Sequence, residues 1–291
     1  MSNSIGRLAV IGVGLIGGSL ARALRRAGRV DEIVGCGRGK ANLDEAVKLG
    51  VIDRYSHDVS EAVRDADVVF LAVPLGAMRG AFDAMRATLP KHALVTDGGS
   101  AKGSVVTDCR EAAPELLQRF VPGHPIAGTE NNGVAASFAE LYRNRRVILT
   151  PLPENDPAAV ARVRGLWETC GAEVTVMSVE HHDEVLAATS HLPHMLAFGL
   201  VDMLARMKEN DEIFRYAAGG FRDFTRIASS NPVMWRDICI ANREALSPML
   251  AAFAEEMTAL ADSIAEADSD ELLNIFERAK AARDRFVDGL N

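Results

Sequence analysis

The N-terminal segment joins a short apolar run, a glycine-rich turn and a helix-forming stretch. Residues 7–12 read RLAVIG, and the turn places Gly12, Gly14 and Gly17 in the spacing G-x-G-x-x-G. The first glycine permits a tight turn, the second lets the backbone approach a pyrophosphate, and the third lets the helix pack on the strand. The start of the helix also offers unpaired N–H groups and the positive end of its dipole. The pattern predicts an α/β domain that binds a dinucleotide.

Strand and helix patterns alternate as far as about residue 177. Strands are predicted near 32–35, 67–73, 93–97, 120–123, 147–150 and 173–176, with helices near 41–49, 78–88 and 156–169. Strands that alternate with helices of this length predict a mostly parallel sheet covered on both faces. We therefore assign residues 1–178 to a Rossmann-type, dinucleotide-binding domain.

The remaining residues, 179–291, are predicted to be all-helical. Residues 246–264 carry the apolar stripe of a long amphipathic helix, and a further helix is expected near 269–286. Residues 192–207 are apolar almost all round, which predicts deep burial, and Pro193 should start or kink a helix there. One short helical layer cannot cover both apolar segments, so we expect a substrate and dimerisation domain and a homodimer formed through it.

Composition and charge limit the classes of partner. The 291 residues carry 32 Lys and Arg against 40 Asp and Glu, a net charge of -8, which argues against a dedicated binder of nucleic acid or anionic membrane. No apolar run approaches the roughly 18 residues of a transmembrane helix, and no signal peptide pattern is present. Four cysteines far apart are typical of reduced packing residues, so we expect a cytoplasmic location. The histidines at 181, 182, 191 and 194 lack supporting carboxylate spacing, and no metal site is predicted.

The second strand lacks the acidic residue that usually binds the adenosine ribose of NAD. Gly37 stands near that position, and Arg38 and Lys40 follow it, which favours the 2′-phosphate of NADP over NAD. The alternative is that both cations belong to a solvated loop. The predicted cofactor site comprises Gly12, Gly14, Leu15, Ile16, Gly17, Gly37, Arg38, Lys40, Val73, Pro74 and Ser100.

Two loops after later strands carry candidate catalytic residues. Ser100 lies in DGGSAKG, which opens a helix, so it is an N-cap, a site residue or both. His124 lies between a glycine and a proline after the next strand, and imidazole is the usual acid–base group near neutral pH. In the helical half, His191 is either a buried structural histidine or a substrate contact. Arg226 either pairs with Asp223 on a helix surface or binds a carboxylate.

Six ordered motifs resemble the prephenate/arogenate dehydrogenase family: GVGLIGGSL, DGGSAKG, GHPIAGTENNG, SHLPH, GGFRDFTRIA and NPVMWRD. The resemblance runs from about residue 8 to beyond Trp235. It implies a two-domain arrangement like that of 6-phosphogluconate dehydrogenase. It also implies oxidative decarboxylation of prephenate or arogenate, leading to tyrosine. It does not decide between these two substrates. The departure is Gly37, because members that use NAD carry an acid there.

The resemblance also implies residue roles. His124 matches the catalytic histidine that hydrogen-bonds the substrate's ring hydroxyl, and Ser100 matches a serine near that hydroxyl and the nicotinamide. Arg226 matches the arginine that binds a substrate carboxylate. The positions that line or gate the pocket are matched by His191, Glu130, Asp223 and Trp235. Gly219 matches a glycine that reaches the pocket from the neighbouring subunit.

Two alternative functions remain at this point. A 3-hydroxyacid dehydrogenase or imine reductase with the same domain plan would need a catalytic lysine or other acid on the helical domain. A non-enzymatic NADP-binding sensor would keep the glycine turn but would have no need of His124, Ser100 and Arg226 together.

Overall fold

The N-terminal part of the chain forms a six-stranded parallel sheet. The computed structural model describes residues 4–129, 131–208 and 210–288. The strands are β1 (Ile5–Ile11), β2 (Val30–Cys36), β3 (Arg54–Ser56), β4 (Val68–Leu71), β5 (Leu94–Asp97) and β6 (Phe120–Val121), in the order β3-β2-β1-β4-β5-β6. All neighbours pair in parallel, so the carboxyl ends of the strands meet at one edge.

Helices cover both faces of this sheet, as predicted. They are α1 (Leu15–Arg26), α2 (Lys40–Lys48), α3 (Val59–Ala62), α4 (Met78–Met85) and α5 (Gly103–Ala112). Alternate residues of β1 enter two separate cores: Leu8 packs in the cluster that holds Leu20 of α1, and Ala9 packs in the cluster that holds Phe82 of α4. Burial on both faces explains why these strands are continuous apolar runs.

A separate three-stranded sheet follows, where the sequence predicted a single sheet. Its strands are β7 (Gly123–Pro125), β8 (Arg146–Leu149) and β9 (Glu173–Val176), and α6 (Pro157–Thr169) lies between the last two in sequence. β7 pairs antiparallel with β8, and β8 pairs in parallel with β9. Pro122 separates β6 from β7 and has no N–H to donate, so the ladder of the first sheet ends there.

The segment after β9 contains helices and no strand among the described residues. These are α7 (Val179–Leu186), α8 (Leu192–Ala205), α9 (Asn210–Arg215), α10 (Gly219–Thr225) and α11 (Pro232–Ala241). The Ser178 hydroxyl caps α7 by accepting the His181 N–H at 3.1 Å. A π-helical turn at Ala187–His191 joins α7 to α8, and Pro193 lies in the first turn of α8, as expected.

The prediction of deep burial for residues 192–207 is wrong for the single chain. Within α8 the buried residue is Ala197, and most of the others are half-buried or exposed. Met203 and Met207 are 48% and 45% exposed. The described part of the chain supplies too few neighbours to cover this face, although its composition is that of a core helix.

The chain divides into two compact units, and the predicted change of architecture at residue 178 lies inside the first. The first unit extends to Arg243, and the second begins at Glu244. The helices α12 (Arg243–Ala265) and α13 (Ser269–Asp288) follow the predicted positions of the last two helices. Among described residues, no helix has both the length and the apolar character needed to span a membrane.

Candidate active site

The turn between β1 and α1 has the geometry that a dinucleotide requires. Gly12 has φ +99°, and a Cβ there would lie 2.3 Å from the Ala72 carbonyl oxygen. A Cβ on Gly17 would lie 2.1 Å from the Gly12 carbonyl oxygen, whereas one on Gly14 would meet nothing within 4 Å. Helix α1 begins at Leu15 with no side-chain cap, so its first N–H groups remain available to an anion. These residues fit a pyrophosphate at this turn.

The loops after β4 and β5 lie beside this turn. Ala72, whose carbonyl lies against Gly12, follows β4 directly, and Val73 and Pro74 come next. A Cβ on Gly98, the residue after β5, would lie 3.2 Å from the Ile16 side chain. The fold therefore brings the cofactor residues predicted in the first turn, the β4 loop and the Ser100 loop to one edge of the sheet.

The end of β2 presents one free cation and one paired cation. Arg38 is exposed and makes no ion pair or hydrogen bond with the described residues. Lys40 Nζ lies 2.7 Å from Asp44 Oδ2 in an exposed pair, and this contact raises the pKa of Lys40. His57, which the sequence did not single out, donates through Nδ1 to the Gly37 carbonyl at 2.7 Å. Of the two predicted cations, Arg38 is thus the one available to a ligand.

A buried ion pair joins the loop after β5 to the strand that carries the candidate histidine. Lys102 is fully buried, and its Nζ donates to Asp97 Oδ2 and to the Gly123 carbonyl, the latter at 2.7 Å. Asp97 also accepts the N–H groups of Gly99 at 2.8 Å and Gly123 at 3.0 Å. Burial lowers the pKa of Lys102, and the charge of Asp97 opposes that shift. The pair fixes the loop that contains the half-buried Ser100, which lies between its two members in sequence.

Ser100 is not the N-cap of α5, which removes one of its two interpretations. The helix begins at Gly103, and its N-cap position is Lys102. The capping acceptor comes from α7, because Asp183 Oδ1 accepts the Lys102 N–H and Oδ2 accepts the Gly103 N–H, both at 2.8 Å. The first helix after residue 178 is therefore bonded directly to the dinucleotide-binding part of the chain.

His124 lies within β7, not beyond a strand end as the sequence indicated, and it is 8% exposed. Its Nδ1 lies 2.9 Å from Nε2 of His182 on α7, and no described residue bonds to its Nε2. His182 Nδ1 in turn lies 2.8 Å from Asp183 Oδ1. Burial, followed by the charges of His182, Lys102 and His191, lowers the pKa of His124 well below its usual value. His124 is therefore neutral at pH 7.

His191 ends the π-helical turn and is 1% exposed. Asn242 of α11's C-cap donates through Nδ2 to His191 Nδ1 at 3.0 Å and to the Asp183 carbonyl at 2.9 Å. An accepting Nδ1 leaves the proton of neutral His191 on Nε2, which is buried with no partner among the described residues. This N–H is available to a ligand.

Trp235 lies beside this histidine and is 6% exposed. Its ring stacks on His194 with centroids 3.7 Å apart and meets His191 edge-on at 6.0 Å. Its helix, α11, lies against the loop after β4, because a Cβ on Gly76 would lie 3.2 Å from Asp237 Oδ2. The sequence-predicted residues of the helical half therefore approach the edge of the sheet where the glycine turn lies.

Arg226 follows α10 and is exposed, with no ion pair to Asp223, so the surface pair that was one interpretation is not formed. Its charge acts on His194, whose pKa is lowered by burial and then by Arg226. A Cβ on Gly219, at the start of α10, would meet nothing within 4 Å, so the fold of the single chain does not require glycine there. Glu130 lies outside the described residues.

The buried histidines predict a loss of stability in acid. Burial is the main cause that lowers the pKa of His191 from 6.5 to about 4, so the unfolded chain binds a proton before the folded protein does. The free energy of unfolding should be highest above pH 6.5 and fall towards pH 4. Protonation of His191 accounts for about 2 kcal/mol of the loss at pH 5. Urea unfolding at pH 7 and pH 5 should show a smaller pH-dependent loss for His191→Gln than for the wild type. Equal losses would contradict the assignment of a depressed pKa to His191.

The family models and the similar proteins all indicate the same family. The chain matches the family model of the prephenate dehydrogenase nucleotide-binding domain over residues 20–176 and that of the prephenate dehydrogenase dimerization domain over residues 178–278. It is 41% identical over 278 residues to the cyclohexadienyl dehydrogenase of Zymomonas mobilis, covering 95% of this chain and 94% of that protein. Identity to the prephenate dehydrogenase of Bacillus subtilis is 36%, over 94% of this chain and 74% of that protein.

Solved structures agree with these relatives. The prephenate dehydrogenase of Aquifex aeolicus, in complex with hydroxyphenyl propionate and NAD+, superimposes with a TM-score of 0.91 at 38% identity, covering 98% of this chain and 100% of that one. The arogenate dehydrogenase of Synechocystis gives a TM-score of 0.79 at 29% identity, covering 96% and 99%. Both domains of the fold are matched in each case. The chain belongs to the prephenate dehydrogenase family of NAD(P)-dependent dehydrogenases.

Proposed function

We propose that this protein oxidatively decarboxylates prephenate, arogenate or both, with hydride transfer to a pyridine nucleotide, in the synthesis of tyrosine. The relatives named above support the reaction class. The observation that carries the proposal is the placement of His124: a neutral, buried imidazole with one nitrogen unbonded, held by Asp97 and Lys102 at the edge where the dinucleotide turn lies.

The test is a direct assay of the purified protein. Prephenate and arogenate are each offered with NAD+ and with NADP+, and the absorbance of the reduced nicotinamide is followed. A 3-hydroxyacid serves as the control substrate, because enzymes with a related domain plan oxidise such compounds. Turnover of at least one of the two cyclohexadienyl substrates is expected. Failure of both, under conditions where a nucleotide binds, would refute the proposal.

The reaction requires the protein to orient the substrate and the nucleotide and to transfer one proton. A bound nicotinamide would accept the hydride that leaves C4 of the substrate ring. His124 Nε2 accepts a hydrogen bond from the hydroxyl on C4 and takes its proton as that oxygen becomes a carbonyl. Carbon dioxide then departs from C1, the ring becomes aromatic, and His124 returns the proton to the ring oxygen. Burial serves this role, because an imidazole that is already protonated cannot accept a proton.

The remaining predicted site residues are proposed to bind the substrate. Ser100 is proposed to lie near the C4 hydroxyl, and the support is the buried pair of Asp97 and Lys102 that holds its loop. Arg226, which has no partner among the described residues, is proposed to bind a carboxylate through its planar array of donors. The His191 N–H and the Trp235 ring are proposed to line the pocket. We also propose that Glu130 and Asp223 line or gate it and that Gly219 reaches the pocket of a neighbouring subunit.

We propose that NADP is favoured over NAD. The support is the absence of an acid at Gly37 and the free guanidinium of the exposed Arg38 beside it. Lys40 contributes less, because binding a phosphate would compete with its contact to Asp44. One charge-assisted contact supplies about 1.5–3 kcal/mol, so kcat/KM should be at least about tenfold higher with NADP.

The cofactor preference is tested by exchanging charges at the end of β2. A Cβ on Gly37 would lie 3.7 Å from the Leu43 side chain, an ordinary contact, so an aspartate fits there. Gly37→Asp combined with Arg38→Ile should reverse the preference through KM, and Lys40→Ala is the matched control with a smaller effect. Equal kcat/KM for both nucleotides in the wild type would show that Arg38 belongs only to a solvated loop.

We propose a homodimer formed through the helical part of the chain. The support is the match to a dimerization domain over residues 178–278 and the apolar side chains that the single chain leaves exposed. On α12 and α13, Ile264, Leu273 and Phe276 are 61%, 55% and 57% exposed. Light scattering at micromolar concentration should give twice the mass of the chain. A stable monomer at that concentration would refute the dimer.

The functional division of the chain is proposed to lie at residue 178, where β9 has ended and the two family models meet. We also propose a cytoplasmic location. Its support is the four cysteines, which are all free, with three of them buried, as expected in a reducing compartment.

A further inference from the structure

A second buried histidine lies directly behind His124, and the function proposed above does not use it. His182 is completely buried in α7, and its Nε2 lies 2.9 Å from His124 Nδ1. The two rings meet edge to face with centroids 5.1 Å apart. His182 comes from the helical part of the chain, 58 residues further along, so tertiary packing alone creates this contact.

The other nitrogen of His182 is bonded to a carboxylate. Asp183 Oδ1 lies 2.8 Å from His182 Nδ1, and the same carboxylate accepts the N–H groups of Lys102 and Gly103 at 2.8 Å each. Burial favours the neutral acid, but these hydrogen bonds outweigh it and lower the pKa of Asp183. Asp183 is therefore a carboxylate at pH 7, and a carboxylate can only accept hydrogen bonds.

The positions of the protons follow in order from Asp183. Because the carboxylate only accepts, His182 Nδ1 carries a proton. Burial lowers the pKa of His182, so the ring is neutral and its Nε2 has a lone pair. That lone pair accepts the proton of His124 Nδ1. His124 then has its own lone pair on Nε2, the nitrogen that no described residue contacts.

We propose that His182 and Asp183 are positioning residues that hold His124 in the tautomer whose Nε2 accepts a proton. The inference rests on the role given to His124 in the proposed function. Without an acceptor behind Nδ1, the buried imidazole has no reason to keep its proton there. The opposite tautomer presents an N–H to the substrate hydroxyl and cannot take its proton.

The tautomer of His124 can be determined without any catalytic assay. Histidine-selective ¹⁵N labelling gives the imidazole shifts at pH 7.5, and the His124 signals are assigned by their loss in His124→Asn. We expect a protonated Nδ1 and an unprotonated Nε2 in the wild type, and loss of that bias in His182→Leu. An Nε2–H tautomer in the wild type would overturn the inference. The expected tautomer together with no turnover of prephenate or arogenate would instead refute the proposed function.

Kinetics of two variants at position 182 separate positioning from packing. His182→Leu should lower kcat by about 100-fold, since a wrong tautomer of a catalytic histidine is costly, with KM for the nucleotide changed less than about twofold. His182→Gln keeps an acceptor for the His124 N–H and should recover at least about tenfold of that loss. Equal kcat in the wild type and the leucine variant, or no difference between the two variants, would overturn the inference.

Ser178→Ala is the matched structural control. It removes the hydroxyl that caps α7, costing about 1 kcal/mol of stability, and leaves the contact between His182 and His124 intact. Its kcat should equal that of the wild type within about twofold. A loss in this control as large as that of the leucine variant would show that helix stability, and not the tautomer, governs turnover.

Discussion

Replacing His124 with asparagine is expected to lower kcat by about 10²- to 10⁴-fold, the usual contribution of a positioned base. The variant retains a polar side chain in β7 but has no group that takes a proton near pH 7. The nucleotide turn lies on other loops, so the dissociation constant for the nucleotide should change little. Steady-state kinetics with the preferred substrate, and fluorescence titration with the reduced nucleotide, measure the two effects separately.

His181→Asn is the control for this change. His181 lies on α7 with a side chain that is 61% exposed, so its loss should leave turnover unaltered. Near wild-type turnover of His124→Asn would remove His124 from the mechanism. A parallel loss of nucleotide binding would mean that the substitution disturbs the sheet edge as a whole.

Replacing Arg226 with alanine is expected to raise KM for the substrate by tens- to several-hundred-fold. The proposed partner is a carboxylate, and losing a charge-assisted pair costs on the order of 2–4 kcal/mol. The carboxylate is present in both the ground state and the transition state, so its binding contributes mainly to KM. Because Arg226 forms no ion pair with Asp223, the melting temperature should stay close to that of the wild type. Initial rates over a range of substrate concentration, with a thermal melt, measure both.

Arg222→Ala removes an exposed arginine from α10, the helix that Arg226 follows, and should leave KM unaltered. Arg226→Lys keeps the charge but loses the planar pair of donors, so an intermediate KM is expected. An unchanged KM in Arg226→Ala would assign the substrate carboxylate to another cation.

Much of the fold could be predicted because its signals are local. The alternation of β1, α1 and β2 follows from short apolar runs separated by glycine turns, and Pro157 and Pro193 lie in the first turns of their helices. The division into two sheets was not predicted, because the apolar run at residues 120–123 indicates a single strand. The predicted burial of α8 fails for a different reason: an apolar sequence indicates what a helix must bury, but not whether its own chain supplies the cover.

The candidate site likewise contains residues that the sequence predicts and residues that it does not. His124 and Ser100 each stand beside glycines just after an apolar run, so position in sequence is enough to select them, although His124 itself lies within β7. From the sequence, His182 enters only an unsupported metal cluster and Asp183 is not singled out, although two polar residues within an otherwise apolar helix face are a usable signal. Lys102 donates to a carbonyl 21 residues away in sequence, and Asn242 donates to one 59 residues away. No local sequence pattern predicts such contacts.

The π-helical turn at Ala187–His191 takes up one residue of the segment between His182 and His191. A π-helical turn contains one residue more than regular α-helical bonding would use. Deleting one of its residues would let the backbone return to that bonding, which is favourable locally. The wider turn holds its extra residue without turning the helix further, so the residues after it would keep their direction around the helix axis and His191 would still face Asn242. The turn therefore lets this segment lose one residue without misplacing the pocket, whereas the same deletion in the regular part of α8 would turn everything after it by about 100°.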